Sequence, residues 1–151
     1  MRSLRIPLIL LVCLIASAGA NASAATKTPF SATLSLGQPG QPERSWQSGP
    51  IFHARGEPNA GTVSGDLEGP AAILNNYNLD LRTVDGANWG TFEISSGGIT
   101  WEGTFRGTLR AGFNEGTFVG HGTDGSLLRG SFSQIVGFDF LLQGVILDPS
   151  G

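Results

Sequence analysis

Cysteine is almost missing from this 151-residue chain, and the single example, Cys13, stands in the opening two dozen residues. If those are removed, no disulfide, thiolate nucleophile or thiolate metal ligand remains. Histidine is nearly as scarce, with only His53 and His121, and no carboxylate stands at a ligand-like spacing from either. The chain is therefore expected to hold no metal and no cofactor. Acidic residues outnumber basic ones, twelve to nine, and no basic cluster occurs, so nucleic acid is not expected as a partner and anionic membrane surfaces are poor ones. There is no G-x-S-x-G elbow for acyl-transfer hydrolysis. Gly37-Gln38-Pro39-Gly40 contains proline and leads to no helix, so it cannot cradle a phosphate. Apolar spacing of helical period is lacking beyond residue 24, and with it any helical architecture.

The first 24 residues read as a secretory signal peptide. Arg2 and Arg5 form a positive start, Ile6 to Ala16 an apolar core, and Ala20-Asn21-Ala22 and Ala22-Ser23-Ala24 two small-residue cleavage candidates. The apolar run is about half the ~20 residues a membrane span needs. Cys13 lies in mid-core behind Leu11 and Val12, without the small residues of a lipoprotein signal. The expected product is an exported, secreted or periplasmic domain of residues 25–151, with no membrane insertion after cleavage. Loss of Arg2 and Arg5 leaves seven Lys and Arg against twelve Asp and Glu, a net charge near −5.

What the chain has in quantity is glycine, 23 residues, set into short alternating segments. From Thr100 to Arg110, Trp101, Gly103, Phe105, Gly107 and Leu109 alternate with polar neighbours at an unbroken period of two. Glycine at two of five apolar-face positions indicates a tightly curved sheet whose backbones approach closely. The same spacing recurs from Gly112 to Gly130. Further strands are expected at 30–36, 51–54, 62–69, 71–84, 89–95, 99–110, 113–122, 127–136 and 138–147. Gly37 to Ser48 reads as a loop, Arg55 to Pro58 as a break, and Asp85-Gly86 as a hairpin turn. The last strand is apolar on both faces and belongs in a closing seam or under cover. The reading is an all-β domain, a small closed antiparallel β-barrel of about eight strands, with a β-sandwich as the alternative.

The runs WGTFEI, WEGTFRG and GHGTDGSLLRGSF, within residues 62–132, resemble the allene oxide cyclase barrel-like proteins of bacteria, and more distantly the dirigent and calycin-like barrels. The resemblance implies a barrel, and a cyclase or isomerase that folds a hydrophobic substrate into a reactive shape. It carries over no catalytic residue.

Read from the residues alone, Tyr77 and Asn75 share a face with Ile73 and Leu79, placing a phenol and an amide on the wall of an apolar interior. Trp101 and Phe105 face the same way from their own strand, and these four are the candidate ligand-binding residues. The weaker catalytic candidates are Glu93, Glu115 and His121: the phases of the first two are open, and His121 lies near a turn. Three functions are compatible with this: binding of an apolar or amphipathic small molecule, cyclase or isomerase chemistry of the kind the resemblance implies, and a ligand-free envelope module with a filled core. A hydrophobic small molecule is the only partner the residues suggest, and no pattern in the chain encodes an oligomeric state.

Overall fold

The computed structural model describes residues 25–148, so the segment expected to be a signal peptide lies outside the described residues. Among them are nine strands and no helix: β1 (Thr26–Leu36), β2 (Arg44–Ser48), β3 (Ile51–Gly65), β4 (Gly69–Asp80), β5 (Asp85–Ser96), β6 (Ile99–Arg110), β7 (Phe113–Gly122), β8 (Leu127–Val136) and β9 (Asp139–Asp148). All pairings are antiparallel in the order β1-β9-β8-β7-β6-β5-β4-β3-β2, and β1 also pairs with β3. Eight strands therefore close into a barrel and β2 adds a ninth on the outside of the seam. Closure rules out the sandwich.

The stagger of the barrel can be followed through paired residues. From Gly65 on β3 the pairs run through Ala32, Leu142, Phe132, Gly116, Gly107, Asn88 and Tyr77 to Ala54, back on β3 and eleven residues from residue 65. Strands in such a barrel are strongly tilted, so inward side chains on neighbouring strands sit at different depths. Tight curvature explains the inward glycines. A Cβ on Gly103 would run into the backbone of Val119 and Gly120 on β7, so only glycine lets β6 and β7 approach this closely.

Several boundaries differ from those expected. Arg55 to Pro58 does not break a strand: β3 runs through it with a bulge between Ala54 and Glu57, and Gly56 takes a φ of 64°. Pro58 is tolerated because no strand occupies that side of β3. The β1 ladder covers residues 61–65 and the β2 ladder residues 51–55, and the Pro58 carbonyl instead accepts the Gly40 N–H at 2.8 Å. Residues 37–48, expected as a loop, contain β2. Pro70, which falls in the gap between the expected strands 62–69 and 71–84, stands second in β4.

Asp85-Gly86 is not the hairpin turn. The chain turns at residues 81–84, Val84 adopts a φ of 59°, and Gly86 is a paired strand residue opposite Leu79. Asp85 serves a neighbouring turn instead, its Oδ1 accepting the Ala111 N–H at 2.8 Å. The apolar last strand, β9, lies between β8 and β1 and so joins the two chain ends.

Candidate functional site

The two ends of the barrel differ. At the end carrying the β3–β4, β5–β6 and β7–β8 turns, Trp101, Val63, Leu67, Ser126 and Leu128 are each no more than 3% exposed and fill the interior. The Trp101 indole N–H donates to Ser126 Oγ at 2.9 Å, and that hydroxyl donates to Asp124 Oδ1 at 2.6 Å. This chain draws the β7–β8 turn beneath the indole, and its hydrogen bonds hold the Asp124 carboxyl below the usual range. The result is a plug.

Above the plug lies a cavity of about 90 Å³, partly open toward the other end. Its floor and walls are apolar: Ala71, Phe92, Ile94, Phe118, Leu34 and Leu142 are buried, with Phe92 meeting Phe118 edge-on at 5.8 Å between ring centroids. Phe105 lines it from β6 and meets Phe132 edge-on. No charged side chain is among the lining residues.

Nearer the mouth the lining changes to amides. Asn59, Asn75, Asn88 and Asn114 project inward from β3, β4, β5 and β7, and the buried Oδ1 of each has no hydrogen-bond partner. Asn88 is only 4% exposed. A buried amide oxygen without a partner forfeits about 1–3 kcal/mol, so four around one cavity are a stored cost calling for a functional explanation. Gly107 on β6 lies between two of them: a Cβ there would come closer than 3.0 Å to Asn88 Oδ1 and Asn114 Oδ1. The missing side chain thus leaves the room that the two amide oxygens fill over the β6 backbone.

The bulge brings Glu57 alongside the mouth, where its Oε2 accepts the Tyr77 O–H at 3.1 Å. Burial raises the Glu57 carboxyl above its ordinary value, and the Tyr77 hydrogen bond only partly offsets this. Tyr77 is pushed up to about 12 by burial first and by the neighbouring carboxylate second. The rim beyond is apolar, with Val84, Phe113, Val136 and Phe138 exposed on three adjacent turns.

Of the four binding candidates, Asn75 and Phe105 line the cavity and Tyr77 and Trp101 do not. Trp101 faces inward as expected, but the stagger of the strands sets it lower, in the plug. Tyr77 also faces inward, among the groups of the mouth. Glu93, Glu115 and His121 all lie on the exposed outer face, because Phe92, Ile94, Asn114 and Phe118 take the inward positions of their strands. Among the described residues no group of three or more His, Cys, Asp or Glu is placed to hold a metal ion.

Sequence reasoning missed Asn59, Asn88, Asn114 and Glu57. The signal for two of them was present: extending the inward alternation backwards from Phe92 reaches Asn88, and from Phe118 reaches Asn114. Asn59 and Glu57 were hidden because Pro58 marked their segment as a break. Comparison of the chain with protein-family models, with curated proteins and with solved structures gives no match.

Proposed function

We propose that the chain is exported and that its barrel binds a small apolar or amphipathic molecule inside the cavity. The observation that carries this reading is the partition of one cavity into an apolar floor and four unpartnered amides, plugged below and partly open above. Small-molecule sites have this composition, a mostly apolar lining with few polar groups that fix orientation. At about 90 Å³ the space is well under the ~300–1,000 Å³ of drug-sized sites, so the guest is a molecule of few heavy atoms. Xenon is a probe of suitable size. Pressurising the mature domain with xenon should shift the backbone amide resonances of Phe92, Ile94 and Phe118. No shift at these residues would leave the filled, ligand-free module as the better reading.

A second reading, cyclase or isomerase chemistry of the allene oxide cyclase-like type, is favoured by one observation. The Glu57–Tyr77 pair sits at the mouth of an apolar cavity with both groups held above their ordinary pKa values. Such a pair supplies a proton acceptor and a donor side by side, although neither group lines the cavity itself. If the reading holds, Glu57→Gln abolishes turnover of a reactive epoxide while leaving guest binding intact. Equal turnover by the variant and the parent domain rejects it.

A further inference from the structure

The outer wall of the barrel carries a second surface, in which the cavity plays no part. We infer that this surface binds an acidic polysaccharide, a chain of sugars bearing carboxylate or sulfate groups, laid across the strands along a row of arginines.

Strand pairing gathers what the sequence scatters. Arg44 on β2 stands directly opposite Arg55 on β3, and Trp89 on β5 stands directly opposite Arg106 on β6. Asn76 on β4 links the two pairs: it faces Trp89 across one ladder, and its Oδ1 accepts the Gly56 N–H at 3.0 Å. The indoles steady the cations. The Arg44 guanidinium lies 4.6 Å from the Trp46 ring centroid, and that of Arg55 lies 4.7 Å from the Trp89 centroid. Four inter-strand steps separate Arg44 from Arg106, so the row runs for roughly 19 Å. Beyond it an open depression, whose lining includes Thr104, Arg106, Thr117, Val119 and Arg129, extends the surface onto β8.

The charge of this surface is left unbalanced. Acids are in excess in the chain, twelve to nine, yet none of Arg44, Arg55, Arg106 and Arg129 forms an ion pair with a described residue. Glu43, next to Arg44, packs its carboxyl against Gly56, and Glu115 stands opposite Thr108 and Ser133. Like charges directly opposite each other destabilise a sheet, so the facing pair Arg44 and Arg55 is a cost that a bound anion removes. Arg55 commits its donors to Ala54 O, Tyr77 O and Asn78 Oδ1 and positions the row. Arg44, Arg106 and Arg129 are exposed and present theirs outward.

The form of the surface selects the partner. Cations spread along a row are matched by anionic groups spread along a chain, whereas one small anion reaches one or two of them. Between and beside the arginines the exposed hydroxyls of Thr104, Thr117 and Ser131 suit the hydroxyls of sugars. Single-stranded nucleic acid binds through bases stacked on open aromatic faces. Here Trp46 already carries His53, Arg44 and Arg55 against its ring, and the proposed export removes the chain from nucleic acid.

The test uses residues 25–151 with four probes: a hexauronate, a sulfated hexasaccharide, neutral maltohexaose and a single-stranded oligonucleotide. Titration calorimetry is run at about 20 mM and about 200 mM salt, because screening weakens exposed charge contacts. At least one anionic hexasaccharide should bind, less tightly at the higher salt, while maltohexaose does not. The tighter of the two identifies the charged group. Arg44→Gln, Arg106→Gln and Arg129→Gln should each weaken that binding about two- to fivefold, and all three together about tenfold or more. Arg110→Gln removes the same charge outside the row and should leave binding unchanged. The inference is overturned if maltohexaose matches the anionic chains, if the triple variant binds as the parent does, or if neither anionic chain binds at low salt. Tighter binding of the oligonucleotide than of either hexasaccharide would put nucleic acid in place of the polysaccharide and overturn it equally. Binding of xenon in the cavity is read separately, so either reading can fail without the other.

Discussion

Trp101 offers the sharpest test of how the barrel is built. Trp101→Ala would remove an indole that is 2% exposed and abuts the β7–β8 turn through Ser126. Truncating a buried aromatic to alanine costs about 3–5 kcal/mol in transfer and cavity terms. Losing the indole donor leaves Ser126 Oγ with its bond to Asp124 alone and adds about 1 kcal/mol. The sum is comparable to the lower end of the ~5–15 kcal/mol that holds a domain folded. For a chain of this size it corresponds to a fall in Tm on the order of 10–20 °C. Near-ultraviolet circular dichroism during thermal unfolding is the assay.

Two companion variants separate packing from hydrogen bonding. Trp101→Phe retains most of the volume and should cost about 1–2 kcal/mol. Ser126→Ala leaves a buried indole N–H unpaired and should cost about 1–3 kcal/mol, and the Trp101→Phe/Ser126→Ala double variant should cost less than the sum of the two. Because the plug lies beneath the cavity and does not line it, Trp101→Phe should bind xenon as the parent domain does. A Trp101→Ala domain melting within about 2 °C of the parent would refute the plug and with it the depth assigned to every inward residue of β6.

The chain has a single tyrosine, so absorbance titration reports Tyr77 alone: its phenol should ionise near 12 instead of 10, and Glu57→Gln should bring part of that shift back. Since the folded pKa is the higher one, the stabilisation from the neutral phenol is complete below the unfolded value near 10 and is lost as pH rises through about 12. Glu57 has the same sign: its raised carboxyl favours the fold while protonated and withdraws that contribution as pH climbs through its folded value. Arg55 on the outer face is stacked between Trp46 and Trp89, 5.1 and 4.7 Å from the ring centroids, and donates to Tyr77 O and Asn78 Oδ1. Arg55→Ala should cost about 1.5–3 kcal/mol and shift tryptophan fluorescence to the red without altering xenon binding, whereas unchanged fluorescence would mean that β2 is held some other way.

How much of this could be read from the sequence depended on the regularity of each strand. β6 could be read in full, because Ile99 to Arg110 alternates without interruption and its glycines reveal the curvature. β3 could not: the bulge at Ala54/Glu57 resets the alternation and Pro58 imitates a terminator. The β4–β5 turn was misplaced because Asp-Gly is a strong local signal for a tight hairpin, and here Asp85 is engaged by Ala111 instead. Inwardness was legible for Asn75, Trp101 and Phe105, but depth was not. Depth depends on the stagger between strands, a property of the closed barrel that no single segment encodes. That is why Trp101 proved to be plug and not wall.

The seam also bears on when the protein can fold. β1 has the last strand, β9, on one edge and the far half of β3 on the other, and Thr26 lies opposite Asp148, so the barrel closes only when both ends of the chain are present. Pairings this distant in sequence make folding slow, on the scale of milliseconds to seconds. A nascent chain lacking β9 offers β1 and β8 as open edges and has no closed core to settle into. For a polypeptide threaded through a membrane with its amino end leading, as the proposed export requires, this timing keeps the domain pliable until its final strand emerges, after which closure makes return through the pore unfavourable.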